Sequence, residues 1–434
     1  MKYFKLLVRQ ILRRLLLLLT LLLCLVLPKR KKMLIWGPTP IISYQYWSEA
    51  MQQAGWESVT LMPVRPAVTS PTKEGLYFAD LVPPWIKTSW LREDLSIPFA
   101  MLYIIQNASV LHMSYQGGPF GQTFLWQLEA YLFRYAKIKT VVTPFGGDAW
   151  MYSRVIDISV RHGLLQSFPW GVKEESSHVK RVDYWNKHAD VVISMLMVDG
   201  LGRWDVPANS IFCIDIEAWR PKSTYSANDG KNGPVKVIHT PNFRGFKGTE
   251  FLLQAIKELQ AEGLQIELVL LEKVANEKIR ELMPQMDILV EQLLVGYALS
   301  GIEGMASGVA VLSNLDIEAY TRIFRRYGFL NECPILSTTP ETIKTNLRAL
   351  VTNPQLREQL GRAGRQYVEK YHSYEMAQYL FGAIYDKILY GKDIDLMNLF
   401  HPLKSEYNRK TPFVTHPLIE NHLPKQFSGQ NSEC

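Results

Sequence analysis

Cysteine is scarce in this chain, and its few cysteines follow no pattern of a disulfide framework or a metal site. The 434 residues include four cysteines, and no two of them are spaced as C-x-x-C. Disulfide-rich secreted domains and zinc ribbons both need paired or closely spaced cysteines. The sequence therefore excludes these two classes and indicates a reducing compartment.

Long apolar runs are also missing. The longest, Leu15–Leu27, has 13 residues, and at 1.5 Å per residue it covers roughly 20 Å of a hydrocarbon core about 30 Å thick. Apolar residues make up 47% of the chain and charged residues 21%, which are ordinary globular values. A polytopic membrane protein and a wholly disordered chain are excluded, and the length predicts two or three domains.

Acidic residues are absent from the first 48 positions. Nine lysines and arginines precede residue 33, which leaves 39 basic against 41 acidic residues in the rest of the chain. Because the folded body carries no basic excess, we expect no nucleic-acid partner. Residues 1–32 are predicted to form a basic-flanked hydrophobic leader that binds a membrane surface, spanning it or dipping into one leaflet, with the body on the cytoplasmic face. A core helix of the first domain is the alternative, and a cleaved signal peptide is disfavoured by Pro28.

Short buried runs alternate with helical patterns over most of the chain, which is typical of parallel α/β sheets. The segment 221–234 (PKSTYSANDGKNGP) is polar and has no apolar period, so it reads as a linker. We therefore predict an N-terminal domain over 33–220, a C-terminal domain over 235–390 and a polar tail over 391–434.

Two cations lie in the loop after the first predicted strand of the second domain. Arg244 and Lys247 fall between the strand 235–239 and a helix, together with Gly248. Loops of this kind open onto the crevice at the carboxyl ends of the strands, where ligands of open α/β sheets bind. The pattern predicts a diphosphate site, with a solvated basic loop as the alternative.

A second glycine-containing segment runs into a predicted helix start. It contains Gly296, Gly301 and Glu303. The first turn of a helix presents unpaired N–H groups and a positive dipole end to an anion. We expect Glu303 to accept hydrogen bonds from a ribose diol, although a glutamate near a helix start is often only favourable electrostatics.

Together these segments resemble the retaining, nucleotide-sugar-dependent glycosyltransferases of the GT-B fold, in the glycosyltransferase group 1 family (family 4). The loop R244-x-x-K-G, the segment E303-G-M-A-S-G and T143-P-F-G-G-D148 are similar to motifs of that family. The resemblance implies two Rossmann-like domains facing a central cleft. It also implies charge stabilisation by Arg244 and Lys247, and a nucleoside diphosphate sugar as donor.

The same resemblance implies further site residues, which share positions at predicted strand ends. On the donor side they are Gly146, Gly147 and Asp148, in addition to Gly248, Gly296, Gly301 and Glu303; on the acceptor side they are Gly37, His112, Gly117 and Gly118. His112 has a packed strand-end histidine as its alternative. The acceptor is expected to be a lipid-linked or cell-surface polysaccharide.

Two departures from the family pattern leave alternatives open. Val295 stands where the family has a glutamate, and Phe145 stands where it has a histidine. A catalytically inactive, nucleotide-binding scaffold and a nucleotide-sugar 2-epimerase of the same fold are therefore kept as alternatives. The D-x-D-like pairs, such as Asp215 and Glu217, lack the strand context of a metal site, so no metal and no cofactor are expected.

Overall fold

The structure, a computed structural model, describes residues 2–30, 32–64, 75–194, 199–207, 211–327, 329–410 and 412–427. It contains two α/β units, each built on one parallel sheet. The predicted α/β class with two parallel-sheet domains is confirmed.

The N-terminal sheet has six parallel strands: β1 (Met33–Trp36), β2 (Ser58–Met62), β3 (Leu76–Tyr77), β4 (Ala108–Met113), β5 (Lys139–Val142) and β6 (Val191–Val192). Their order is β3-β2-β1-β4-β5-β6, which is the classical order of the Rossmann fold. Strands β1 and β4 are buried almost throughout, because helices cover both faces of the sheet.

Six helices belong to this half: α1 (Lys2–Val26), α2 (Ser43–Gln53), α3 (Ser89–Asn107), α4 (Glu129–Tyr135), α5 (Ile158–Ser167) and α6 (Gly171–His188). Sequence reasoning misses α3, which contains Pro98, and α6, whose surface is largely polar. Both are stabilised by the sheet on which they pack.

The C-terminal sheet has five parallel strands: β7 (Val235–His239), β8 (Ile266–Leu270), β9 (Ile288–Val290), β10 (Ala310–Ser313) and β11 (Leu336–Ser337). Their order is β11-β10-β9-β7-β8. Numbered within the domain and read from β8, this is 2-1-3-4-5, the second common order of doubly wound sheets. The strand order reverses between β7 and β9, and this point becomes the centre of the candidate site.

The helices of the second half are α7 (Arg244–Lys247), α8 (Thr249–Ala261), α9 (Asn276–Leu282), α10 (Leu299–Ala306), α11 (Glu318–Tyr327), α12 (Ile343–Thr352), α13 (Pro354–Tyr371) and α14 (Tyr374–Tyr390). The described part of the predicted tail packs on this half, with Phe400, Tyr407 and Val414 buried. It is therefore held by apolar contacts.

Helix α14 leaves the C-terminal unit and packs on α2 of the N-terminal unit. Tyr374 donates a hydrogen bond of 2.6 Å to Glu49, and the Gln378 amide donates one of 2.9 Å to the Ala50 carbonyl. The predicted boundary at residue 390 thus assigns α14 to one domain, whereas its contacts join both.

Helix α1 lies along α3 and α4. Leu17, Thr20 and Cys24 are buried in this contact, and Arg9 forms an ion pair of 2.8 Å with the buried carboxylate of Asp94. No helix in the described ranges is both long and apolar enough to cross a membrane. The predicted spanning segment is therefore unsupported, and the alternative of a helix packed on the first domain describes the contacts of α1.

Candidate functional site

The candidate site lies at the carboxyl ends of β7 and β9. In a doubly wound sheet, the loops on the two sides of the reversal point diverge and leave a crevice in which ligands bind. Here the loop after β7 carries α7, and the loop after β9 leads to α10. The sequence-predicted residues Lys247, Gly248, Gly296, Gly301 and Glu303 all belong to these two connections.

Lys247 is the cation that points into this crevice. Its side chain is only 11% exposed, and its Nζ lies 3.7 Å from Glu291 Oε1. The same Nζ donates to the Ser300 hydroxyl at 3.2 Å, in the first turn of α10. The positive charge of Lys247 and the positive dipole end of α10 therefore converge on one place.

Glu291 is the functional residue that sequence reasoning missed. It directly follows β9, and its carboxylate is fully buried. Oε1 accepts hydrogen bonds of 2.9 Å from the Ala298 N–H and the Ser300 hydroxyl, while Oε2 has no partner among the described residues. The sequence signal that could have identified Glu291 is a carboxylate immediately after a buried strand, because that position faces the crevice.

Gly301 allows this carboxylate to approach the helix. A Cβ at Gly301 would lie 2.4 Å from Glu291 Oε2. Any larger residue would therefore force the Glu291 side chain away from the start of α10. Because Gly301 has no side chain, it leaves room for the Glu291 carboxylate. Its predicted role in donor binding stays a prediction.

Arg244 points elsewhere. Its guanidinium forms ion pairs of 2.8 Å with Glu250 and 3.2 Å with Glu272, and its side chain is 41% exposed. These two carboxylates offset its charge at the outer rim of the loop. The structure thus separates Arg244, at the rim, from Lys247, inside the crevice.

Gly248 fixes the turn that presents Lys247. It ends α7 and precedes α8 with φ +73°, and a Cβ there would lie 2.8 Å from Leu293 Cβ. Only glycine takes this conformation without strain. The Lys247 carbonyl also accepts a hydrogen bond of 3.2 Å from the Leu293 N–H, so the loops after β7 and β9 are tied together.

His239, the last residue of β7, links β9 to the start of α8. The Val290 carbonyl lies 2.6 Å from Nδ1 and can only accept, so Nδ1 carries the proton; Nε2 then accepts from the Thr249 hydroxyl at 2.9 Å. Burial lowers the pKa of His239 to about 4. The imidazole is therefore neutral at pH 7 and positions the loop.

Glu303 lies one turn into α10 and is 3% exposed. Its Oε1 accepts a hydrogen bond of 2.9 Å from the Asn276 amide at the start of α9. Burial, with a contribution from the charge of Glu291, raises the pKa of Glu303 to about 8. The raised pKa favours the protonated carboxyl of Glu303, and the Asn276 amide contacts its Oε1.

On the N-terminal side, Asp148 closes the loop that contains Gly146 and Gly147. Its two oxygens accept hydrogen bonds from the N–H groups of Tyr115 at 2.9 Å, Phe145 at 3.0 Å and Gly146 at 3.2 Å. Burial raises the pKa of Asp148 to about 6, against these hydrogen bonds. The carboxylate holds the loops after β4 and β5 together and is itself buried.

Gly117 and Gly118 surround a carboxylate of the chain itself. Glu129 Oε2 accepts from the Gly118 N–H at 2.8 Å, and Oε1 accepts from the Phe120 N–H at 2.7 Å. A Cβ at Gly117 would lie 2.6 Å from Oε2. This loop is therefore shaped by Glu129, which sequence reasoning did not single out, and burial raises the pKa of Glu129 to about 8.

Gly37 lies at the end of β1, where the N-terminal strand order reverses. A Cβ there would lie 1.9 Å from the Leu61 carbonyl oxygen, so the close approach of β1 and β2 requires glycine. The next buried polar side chain, Thr39, shares a hydrogen bond of 2.8 Å with Ser114. Gly37 thus sets the path of the loop after β1, and its acceptor-side role stays a prediction.

His112 lies in the core, away from the cleft. Its ring stacks on Trp36 with centroids 3.6 Å apart, and Nε2 lies 2.8 Å from the Tyr385 hydroxyl of α14. It is 1% exposed, and burial lowers its pKa well below the ordinary range. These contacts support the alternative of a packed strand-end histidine. The prediction that His112 is an acceptor-side residue is therefore wrong, and His112 is a core residue.

The two units meet directly over α7. The Phe246 N–H donates a hydrogen bond of 2.9 Å to the Ser167 hydroxyl of α5, and Gly163 of the same helix lies against Leu294. Trp150 and Phe168 pack beside Phe246. Helix α5 therefore covers the Lys247 loop, and a ligand in the crevice would be enclosed by both units.

Within the ranges that the structure describes, no three His, Cys, Asp or Glu side chains are grouped so that they could hold a metal ion. The absence of a metal and of a cofactor stays a prediction.

The chain was compared with protein families, curated proteins and solved structures. No family model matches, and no curated protein matches significantly. Similar solved structures include a UDP-GlcNAc 2-epimerase from Neisseria meningitidis bound to UDP-GlcNAc (10% identity, 84% of this chain and 100% of that one, TM-score 0.39). Others are Anabaena HepE in complex with UDP (11%, 82% and 99%, TM-score 0.46) and a glycosyltransferase from Rickettsia africae (12%, 84% and 100%, TM-score 0.43). At these low identities and scores they establish no activity for this chain, and its fold rests on its own strand order.

Proposed function

We propose that this protein is a glycosyltransferase that moves a sugar from a nucleoside diphosphate sugar to a lipid-linked or cell-surface polysaccharide acceptor, with retention of configuration, at the cytoplasmic face of a membrane. The observation that carries the proposal is the convergence of Lys247 and the first turn of α10 in the crevice between the two units. Such a place suits the diphosphate of the donor.

The chemistry is leaving-group stabilisation. As the bond between the sugar and the diphosphate breaks, negative charge grows on the phosphate oxygens. A buried cation and the N–H groups of a helix start stabilise such charge. Lys247 and the Ala298 N–H also contact the Glu291 carboxylate, so in this proposal the diphosphate shares them with that carboxylate. One well-placed donor of this kind lowers the barrier by about 3 kcal/mol.

Glu291 has a positioning role in this proposal. Its bonds to the Ala298 N–H and the Ser300 hydroxyl, together with its ion pair to Lys247, hold the cation against the helix start. Arg244, whose charge is offset by two surface carboxylates, contributes less than the sequence motif suggests. The ribose is proposed to bind at Glu303 after the Asn276 amide moves aside.

The test is a turnover assay with purified protein, a panel of UDP-, GDP- and ADP-sugars, and a lipid extract as acceptor. The proposal expects labelled sugar in the lipid fraction and release of the nucleoside diphosphate. Appearance of the C2 epimer of the donor would instead identify an epimerase. Nucleotide binding without turnover across the panel would identify an inactive scaffold.

A further inference from the structure

A basic pocket lies at the amino edge of the N-terminal sheet, opposite to the crevice. It has a volume of about 550 Å³ and lies between the end of α4, the start of β5 and the end of α6. The polar side chains that line it are mostly basic: Arg134, Lys137, Lys139, Thr140, Lys187, His188 and Asp190.

The positive charge of this pocket is largely uncompensated. Asp190 is its one carboxylate, and it is engaged by Lys139 at 2.9 Å and by the Thr140 N–H at 2.9 Å. Among the described residues, no carboxylate forms an ion pair with Arg134, Lys137 or Lys187. Burial, together with these neighbouring cations, lowers the pKa of His188. A pocket of this kind favours an anion that carries several oxygens, such as a phosphate group.

The pocket is continuous with an apolar surface. Tyr131 and Tyr135, one turn apart on α4, are 53% and 63% exposed, and the Tyr131 ring lies 5.3 Å from that of His188. The Tyr135 hydroxyl donates to the Leu25 carbonyl of α1 at 3.1 Å, and Lys29 Nζ donates to the Ala136 carbonyl at 3.2 Å. Helix α1 and the segment after it therefore contact the end of α4, beside the pocket.

The outer face of α1 is apolar along its length. Leu17 and Cys24 face the domain, whereas Leu15, Leu19 and Leu22 are 57%, 52% and 60% exposed. Near the other end of this surface, Arg13 and Arg14 lie beside the exposed ring of Phe124. An apolar face this long, with tyrosines and cations along its borders, has the composition of a helix lying in a membrane interface.

We propose that this pocket binds the phosphate headgroup of an anionic bilayer lipid, while the outer face of α1 and the exposed tyrosines lie in the same leaflet. The charge of the pocket selects the headgroup, and its position beside the contact of α1 with α4 places that headgroup at the depth of the interface. This inference concerns the surface and holds whether or not the protein transfers a sugar.

The test is flotation of the full chain with vesicles of phosphatidylcholine alone, or with about one third phosphatidylglycerol. The proposal expects strong binding only to the anionic vesicles. The triple variant Arg134→Gln, Lys137→Gln, Lys187→Gln should bind them about a hundredfold less tightly, since each basic residue near an anionic surface strengthens binding roughly fivefold.

A matched control changes the charge equally on the C-terminal half: Lys231→Gln, Lys257→Gln, Lys404→Gln. All three side chains are exposed, and this variant should bind like the wild type. Equal binding of both triple variants would overturn the headgroup site. Equal binding of the wild type to neutral vesicles, or its displacement by millimolar inorganic phosphate, would overturn the lipid assignment.

A third variant tests the apolar half of the surface. Leu19→Ser, Leu22→Ser keeps the charges and the buried stripe of α1, and it should weaken vesicle binding more than tenfold, since two exposed leucines lose their transfer into the interface. Unchanged binding would overturn the placement of α1 in the leaflet. Point variants are preferred to deletion of residues 1–32, because deletion also removes the buried contacts of Leu17 and Cys24.

Discussion

Replacing Lys247 by methionine separates the two roles that the structure gives to this side chain. Glu291 is fully buried, and its Oε2 has no partner among the described residues. Removing the cation leaves that carboxylate buried without its opposite charge, which typically costs about 3–5 kcal/mol. Lys247→Met should therefore lower the free energy of unfolding by about that amount, in contrast to a solvated loop lysine, which the sequence alone suggests.

A second substitution shows whether the ion pair is the cause. Glu291→Gln keeps an oxygen for the Ala298 N–H and removes the charge. Because neutral replacements of both partners in a buried pair are often close to neutral in stability, the double variant Lys247→Met, Glu291→Gln should recover most of the loss. Nucleoside diphosphate affinity should nevertheless stay about 10–100-fold reduced, since a charged hydrogen bond to phosphate is missing.

The assays are urea unfolding followed by circular dichroism, and calorimetry with nucleoside diphosphates. Arg244→Met is the matched control, because Arg244 is half-exposed and pairs with surface carboxylates; it should change stability little. If Glu291→Gln fails to rescue Lys247→Met, the buried pair does not cause the destabilisation. If the double variant binds nucleotide normally, Lys247 does not contact the phosphates.

Three further outcomes are expected. Burial raises the pKa of Glu303 to about 8, from an ordinary 4.5. Between these two pH values the folded state binds more protons than the unfolded state. The free energy of unfolding therefore falls as pH rises from 5 to 8, by up to roughly 1 kcal/mol per pH unit. Glu303→Gln should reduce that slope in urea unfolding, while the contribution of Glu129, whose pKa is also raised to about 8, remains; an unchanged slope would exclude a contribution from Glu303. Gly248→Ala should destabilise the protein by about 1–3 kcal/mol and weaken nucleotide binding, since φ is +73° and the new Cβ meets Leu293. The control Gly263→Ala has φ +93° and no atom within 4 Å of the new Cβ, so it should destabilise less and leave binding intact. Equal effects of the two variants would argue against a steric role for Gly248. Tyr385→Phe should lower the free energy of unfolding, followed by thermal unfolding, by about 1–3 kcal/mol, because it leaves Nε2 of the buried His112 without its partner. The value of kcat/KM should not change. A loss of activity would instead indicate that His112 belongs to the functional site.

The C-terminal elements were the most predictable part of the fold. The apolar periods of the sequence predict a strand over 235–239 and helices over 354–371 and 374–390, because these periods are long and end at clear breakers, and the structure gives the same bounds. For α10 the sequence predicts a start at residue 302, because Ser300 and Gly301 are weak helix formers, whereas the helix begins at Leu299. Its start is stabilised by Glu291 and by the sheet, which local propensity does not include.

The candidate site was predictable in its loops and unpredictable in its pairings. The sequence places Lys247 and Arg244 in one motif, but only the fold shows that Arg244 meets Glu250 while Lys247 meets Glu291. Which side of a short helical turn faces the crevice depends on the neighbouring strands. The partner of a buried charge is set by tertiary structure, and spacing along the chain does not encode it.

The packing of residues 1–32 was also beyond prediction from sequence spacing. The buried stripe of this leucine-rich run holds Leu17, Thr20 and Cys24, whereas the exposed face holds leucines. Leu17 is buried and Leu18 is exposed, and nothing in the composition separates them. The docking of α1 depends on contacts such as Arg9 with Asp94, 85 positions away.

The central claim is that Lys247 and the start of α10 hold the diphosphate of a nucleotide donor. The most direct measurement compares, by calorimetry, the affinities of the nucleoside diphosphate and of the plain nucleoside for the wild type and for the double variant Lys247→Met, Glu291→Gln. The account predicts that the wild type prefers the diphosphate strongly and that the folded double variant loses most of this preference while its nucleoside affinity is retained. A double variant that keeps the full preference for the diphosphate would contradict the account.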